Sequence, residues 1–234
     1  VPGNNAFPVH PTENRSLTPR EAARIQSFPD SHIFVGNRAE QCRLVGNAVA
    51  VKLAECLAKS ISEHIKTSGG LPKMSGVKLL SNHANNTTPT TSKSKPYTMR
   101  SPSGLNAVSF FTGIGGLQLG FLNSGVEVVG SYDMKNSVAK NMQLNFPDVP
   151  HQTADIANLT VSKIKEDTDR KKIDIVFGGP PCQGFSIFGR RRFKNTQGHE
   201  PESDERNEVS LKFIDLAVGL KPRLIFMENV KGFL

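Results

Sequence analysis

Four short apolar runs from residue 107 onward each break off at or within a residue of a glycine or an acid. That rhythm constrains the fold more than any other feature of the 234 residues. The runs are Ala107–Phe111 before Thr112-Gly113, Val126–Tyr132 before Asp133, Ile173–Phe177 before Gly178-Gly179-Pro180-Pro181, and Arg223–Met227 before Glu228. Short runs dominated by Val, Ile and Phe read as strands buried in a sheet. Helical segments are expected between them, from about 116 to 123, 136 to 144 and 208 to 218, and a third short strand precedes Asp155. Alternating β and α units of this length predict a doubly wound, mostly parallel α/β sheet. Such sheets bind ligands beyond the carboxyl ends of their strands, where these punctuating residues fall.

The rest of the chain divides by composition. Residues 1–66 are mixed and helix-rich. Thr18-Pro19-Arg20-Glu21 has the form of a capping box with Pro at the first helical position, and the helix should end before Pro29-Asp30. A second helix is expected from about Val49 to Ile65, with Leu53, Leu57 and Ile61 on one face. Residues 67–105 contain Lys73, Lys78, Lys93, Lys95 and Arg100, no acid, and much Ser, Thr, Asn, Pro and Gly. This composition predicts a flexible linker, with residues 106–234 forming the α/β domain. The chain begins at Val1 and ends at Leu234 directly after a strand, which reads as a piece of something larger.

Lys plus Arg total 29 against 21 Asp plus Glu, a net charge of +8 that favours a polyanionic partner such as nucleic acid. Cys42, Cys56 and Cys182 form no CxxC pair, which argues against a zinc site or a disulfide framework; no metal is expected. A reducing compartment fits: the cytoplasm, with the nucleoid, in a bacterium, or the nucleus in a eukaryote. No apolar run reaches the roughly 18 residues of a membrane span.

Phe111-Thr112-Gly113-Ile114-Gly115-Gly116 joins a strand to a helix, so its glycines let the backbone approach a ligand at a helix N-terminus. It lacks the dinucleotide spacing and the phosphate-binding Lys-Ser/Thr pair. Asp133, about twenty residues on, is placed for ribose hydroxyls, and Asp155 for an adenine amino group. Together they favour an adenosine cofactor without a triphosphate. Cys182 follows two prolines on a stiff loop, a platform for a nucleophile that must ionise to react. Cys42 and Cys56 read as small apolar packing residues. Glu228 ends an apolar strand, where burial would raise its pKa and suit it to act as an acid.

Taken together, these residues resemble the DNA cytosine-5 methyltransferases. The glycine turn is similar to their S-adenosylmethionine turn, the Cys182 segment to their Pro-Cys loop, and Glu228-Asn229-Val230 to their Glu-Asn-Val. Asp204-Glu205-Arg206-Asn207-Glu208-Val209 resembles their Asp-x-Arg segment. Arg15–Asp30 and Gly46-Asn47-Ala48-Val49 resemble their last two motifs. The resemblance implies that Cys182 attacks C6 of a flipped-out cytosine, that Glu228 protonates N3, and that Asn229 braces the cysteine loop. It implies S-adenosylmethionine contacts from Phe111 through Gly116, from Asp133, Met134, Asp155, Ile156, Pro180, Pro181 and Val209, and from Asn47 and Ala48. Arg190, Arg191 and Arg192 are placed to grip the phosphates of double-stranded DNA.

The sequence departs from the family pattern in its order. The last two motifs come first, as in a circular permutation or a junction between two fused enzymes. The family's target-recognition region and last strands are missing, so a complementing polypeptide or further chain is expected to cover the strand that ends at Glu228. Ala50 stands where the family commonly has Pro, and Asp133 where it has Glu. A non-catalytic DNA-binding or scaffold subunit and an RNA cytosine-5 methyltransferase remain as alternatives.

Overall fold

The computed structural model of the chain describes residues 9–68, 101–181 and 205–229. Its centre is a parallel five-stranded sheet of order β3-β2-β1-β4-β5. The strands are β1 (Asn106–Phe110), β2 (Glu127–Asp133), β3 (His151–Thr153), β4 (Ile175–Gly178) and β5 (Leu224–Met227). The described helices are α1 (Pro19–Ile25), α2 (Arg38–Gly46), α3 (Val51–Ser68), α4 (Gly116–Asn123), α5 (Asn136–Asn145), α6 (Val161–Asp167) and α7 (Glu205–Gly219), with a short 3-10 turn at Ile156–Asn158. The predicted doubly wound α/β sheet is what forms.

Strand alternation sorts the core onto the two faces. Val108, Phe110, Val129 and Val176 pack with Ile164 of α6 and Phe213, Leu216 and Ala217 of α7. Ala107, Val128, Ile175 and Phe177 face the other way, against Phe121 of α4 and Ala58 and Ile65 of α3. There Phe121 and Phe177 stack with centroids 4.1 Å apart. β1 holds the middle of the sheet, paired with β2 on one side and β4 on the other, so its carboxyl end is flanked by both.

The amino-terminal unit is built as its sequence predicts at α1. The Thr18 side chain accepts from the Glu21 amide and the Glu21 carboxylate accepts from the Thr18 amide. Arg15 also donates to both Glu21 oxygens at 2.9 Å, and this pairing holds the Glu21 carboxyl well below the usual carboxylate range. Two helices that the sequence reading did not anticipate, α2 and α6, begin at side-chain caps from Asn37 and Thr160.

Two expectations are corrected. α3 does not bury Leu53, Leu57 and Ile61 as a single face: Leu53 is 56% exposed and Leu57 also faces solvent, while Val51, Ala54, Ala58 and Ile65 are buried. Close helix packing decides this. A Cβ on Gly120 of α4 would overlap Ala54, so α3 and α4 meet where both carry the smallest side chains. The same rotation leaves Cys56 exposed, and Cys42 on α2 is only half-buried, so neither is a buried core residue. The predicted linker at 67–105 falls largely on residues 69–100, outside the described residues. α3 runs on to Ser68, and Leu105 is already in the core.

Candidate active site

The carboxyl ends of β1, β2, β3, β4 and β5 bring together most of the residues that the sequence singled out. The chain leaves β1 through Phe111 (φ 53°), Gly113 (φ 55°) and Gly115 (φ 81°), and Gly115 caps α4. Left-handed backbone at three positions in five makes a tight reversal, which glycine tolerates and Phe111 does not without support. That support is visible: Phe111 packs on Phe213, and the Thr112 hydroxyl donates to the Tyr132 carbonyl at 3.0 Å.

Asp133 binds the turn directly. One of its carboxylate oxygens accepts from the Gly113 amide at 3.0 Å, the other from the Lys135 amide at 3.0 Å. The short side chain expected to reach a ribose therefore also folds back to fix the turn, and each oxygen keeps a lone pair for a ligand. Met134 beside it is 64% exposed, an apolar surface at the mouth of the site. The Ala154 amide donates to the Asp133 carbonyl, which sets the end of β3 next to that of β2. Asp155 follows, exposed, with one oxygen accepting from the Ala157 amide, and Ile156 is buried behind it.

The two remaining strands carry the acid. Gly178 lies between Phe110 and Met227, and the Glu228 amide donates to the Gly178 carbonyl at 3.0 Å. A Cβ on Gly179 would lie 3.1 Å from a Glu228 carboxylate oxygen, so this acid rests against the backbone that leads through buried Pro180 and exposed Pro181 toward Cys182. Glu228 is exposed rather than buried, and the partial desolvation of its carboxyl beside the β4 and β5 backbone still pushes it above the ordinary value. Asn229 is half-buried beside it, and Val209 packs half-buried against the core near Phe213. Cys182, Arg190, Arg191 and Arg192 lie outside the described residues.

The amino-terminal unit closes the site from the side. A Cβ on Gly116 would overlap the Val49 carbonyl and lie 3.0 Å from Phe28 and 3.4 Å from Ala48. Ala48 is half-buried there, its carbonyl accepting from the Gln26 side-chain Nε2 at 3.2 Å, and Asn47 is exposed at the C-cap of α2. A cavity of about 460 Å³ lies at the opposite, amino ends of the strands, lined by Glu127, Phe146 and Asp167 among others, and none of the residues above lines it.

Three further residues at this junction escaped the sequence reading. Asn141 and Asn145 are buried on α5, and His32 is buried against the turn. The available signal was the pair of amides four residues apart on the apolar face of α5, beside Val138 and Met142.

Comparison with known proteins identifies the family of the chain. The profile of the C-5 cytosine-specific DNA methylase family matches residues 1–63 and 105–234. The chain is 33% identical over 129 residues to the type II methyltransferase M.AquIA of Picosynechococcus sp., covering 54% of this chain and 49% of that protein. It is 32% identical over 127 residues to M.XorII of Xanthomonas oryzae pv. oryzae, covering 53% of this chain and 28% of that protein. The chain thus spans about half the length of the first of these relatives and under a third of the second. A solved structure of Spodoptera frugiperda DNMT2, a triple mutant, is 27% identical with a TM-score of 0.41, covering 55% of this chain and 36% of that one. With the family profile matched across both the amino-terminal unit and the α/β domain, the chain belongs to the C-5 cytosine-specific DNA methylase family.

Proposed function

We propose that this chain carries the cofactor-binding and nucleophile-bearing part of a DNA cytosine-5 methyltransferase that uses S-adenosylmethionine. The observation that carries the reading is the placement of Glu228. Its carboxyl, raised in pKa, sits against Gly179 at the root of the loop leading to Cys182, next to the turn at the end of β1.

The residues present fit the cofactor. A Cβ on Gly113 would meet no atom within 4 Å, so the turn is open on that side, and Asp133, Asp155 and exposed Met134 border the same strand ends. Phe111 through Gly116, Asp133, Met134, Asp155, Ile156 and Pro180 would hold S-adenosylmethionine, with Pro181, Val209, Asn47 and Ala48 at the margins. When bound, the cofactor supplies an electrophilic methyl group. Asp133 would accept from ribose hydroxyls and Asp155 from the adenine amino group, while Met134 and Phe111 cover apolar surface.

On the substrate side, the target cytosine must leave the base stack, because its ring atoms are out of reach inside a duplex. The Cys182 thiolate adds to C6 while Glu228 gives its proton to N3, so the electron pair of the C5–C6 double bond becomes available at C5. After methylation of C5, its proton leaves to a solvent base, and Cys182 is expelled from C6 as a thiolate while N3 returns its proton to Glu228, restoring the double bond and both groups. An acid with a raised pKa suits this step, since it still holds a proton closer to neutrality than an ordinary carboxyl. Arg190, Arg191 and Arg192 would contact DNA phosphates. β5 forms an edge of the sheet among the described residues, with Ile225 40% exposed, which supports a complementing polypeptide or further chain that brings target recognition.

The test is covalent trapping on a duplex containing 5-fluorocytosine, with labelled S-adenosylmethionine, for the chain alone and with a complementing segment. Fluorine at C5 cannot leave as a proton, so an active Cys182 stays bound to the DNA. The adduct should vanish in Cys182→Ser and form at least 100-fold more slowly in Glu228→Gln, on the scale of a lost general acid (about 10²–10⁴-fold). An adduct that persists in Cys182→Ser would refute the assignment, and so would no adduct under either condition.

A further inference from the structure

The turn at the end of β1 is held from two directions, and the proposed function accounts for only one of them. On the sheet side, Asp133 and the Tyr132 carbonyl engage Gly113 and Thr112. On the other side stands His32, a fully buried side chain from the amino-terminal unit, which donates a ring N–H to the Ile114 carbonyl. Ile114 is itself buried, so its carbonyl has little recourse to water.

His32 has no freedom to drift from this position. Its ring lies 4.8 Å from that of Phe28, 5.1 Å from Phe34 and 5.9 Å from Phe146. The residues after it are fixed by α5. Asn145 accepts from the Ile33 amide and donates to the Ile33 carbonyl, both at 2.8 Å, and Asn141 accepts from the Val35 amide at 2.9 Å. An asparagine that takes both backbone groups of one residue reproduces the pairing of a neighbouring strand.

We infer that His32 is a positioning residue: clamped by Asn141 and Asn145, its ring N–H fixes the Ile114 carbonyl and so holds the Gly113–Gly116 turn in the shape that receives the cofactor. This rests on the reading of the turn as the S-adenosylmethionine site. The mechanism is ordinary. The peptide unit that carries this carbonyl joins Ile114 to Gly115, so a glycine on one side lowers the steric resistance to its rotation, and a hydrogen bond to the carbonyl selects one orientation before any ligand arrives. Burial also keeps the ring neutral, with a pKa pushed down to about 3, so the tie does not titrate near neutral pH.

The experiment uses the full chain, with His32→Phe, which keeps an aromatic ring but no donor. His32→Asn and His32→Gln place an amide N–H at the positions of the two ring nitrogens. Amide hydrogen exchange is followed without ligand, and S-adenosylmethionine binding by calorimetry. His32→Phe should exchange at least 10-fold faster at Ile114–Gly116, with the amides of β1 and β4 unchanged, and should bind the cofactor at least 5-fold more weakly. One of the two amide variants should restore the protection. Equal loss in all three variants, or loss that spreads evenly through the β1 and β4 amides, would make His32 a packing residue and overturn the proposal. So would wild-type protection in His32→Phe. If the unsubstituted chain takes up no S-adenosylmethionine, the cofactor reading fails, and the exchange measurement still decides the role of His32.

Discussion

Replacing Asn145 with Leu removes the amide that binds the amino-terminal unit to α5 while keeping nearly the same volume. Three hydrogen bonds end on that side chain: from the Ile33 amide, to the Ile33 carbonyl and to the Asn141 carbonyl, each 2.8 Å. The Asn141 carbonyl lies within α5 and keeps its helical partner, so the loss falls on the two groups of Ile33. A net hydrogen bond contributes about 1 kcal/mol, and a partner left unsatisfied raises the cost to about 1–3 kcal/mol. Ile33 is 45% exposed, so water replaces part of the loss and each group falls in the lower part of that range, about 1–2 kcal/mol, or about 2–4 kcal/mol for the two. For a unit of this size that corresponds to a fall in Tm of roughly 5–15 °C.

Chemical unfolding of the full chain, followed by circular dichroism, measures this. Asn145→Asp separates the hydrogen bonding from the shape. It keeps an acceptor for the Ile33 amide but turns a second oxygen toward the Ile33 and Asn141 carbonyls at a site only 3% exposed. At neutral pH it should be the worse variant, because it buries a charge facing two acceptors. Burial would raise the pKa of that introduced carboxyl, so its penalty relative to the wild type at the same pH should shrink as pH falls through the raised value. Asn141 holds the same strap, so the double replacement should cost less than the sum of the two single ones. An Asn145→Leu chain within about 0.5 kcal/mol of wild type, the range of a neutral surface change, would refute the clamp.

The buried histidine gives a pH signature. His32 has its pKa lowered from 6.5 to about 3, so between those values the unfolded chain binds the extra proton. Its contribution is complete above pH 6.5 and is lost on acidification at up to about 1.4 kcal/mol per pH unit, a slope that His32→Phe should flatten in pH-dependent melts. His151, also lowered by burial, has the same sign and should leave a residual slope. Gly120→Ala drives a Cβ into Ala54, including its backbone carbon at 2.6 Å, and overpacking of this kind costs about 1–3 kcal/mol; Ala54→Gly should recover only part of the loss in Tm. Gly116→Ala meets the Val49 carbonyl and should lower Tm, whereas Gly113→Ala, with open space around it and φ 55°, should change Tm less but weaken S-adenosylmethionine binding.

The strand ends were legible because each candidate residue there interrupts an apolar run. Thr112-Gly113, Asp133, Gly178-Gly179 and Glu228 all stand where a sequence of buried strands stops. The capping box at Thr18 was legible for a similar reason: its partners are three residues apart and local chemistry specifies them. α3 was misread because Leu53 and Leu57 suggest an apolar face more strongly than Ala54 and Ala58 do. The helix lies instead where Ala54 meets Gly120, a pairing between residues far apart in the chain. His32 gives no local sign of its partner, and Asn141 and Asn145 show only their four-residue spacing beside Val138 and Met142. A polar side chain on a helix reads as surface until the backbone that it binds, more than a hundred residues away, is known.

These long-range contacts change what the glycine turn means. Its first glycine, Gly113, faces open space and takes its amide bond from Asp133, so its lack of a side chain leaves room for a ligand. Gly116, three residues on, has no such room, because Val49, Phe28 and Ala48 fill the place of its side chain. One short motif therefore answers to two constraints: a ligand at one end and the amino-terminal unit at the other. His32 joins them through the carbonyl of the residue between. On the proposed reading of the turn, the residues that resemble the family's last motifs, although they come first in this chain, would act on the cofactor mainly through the backbone of the turn. A change at Phe28, His32 or Val49 should reach the proposed cofactor site without touching any ligand, because those residues hold Ile114 and Gly116 of the same short turn whose Gly113 end is open.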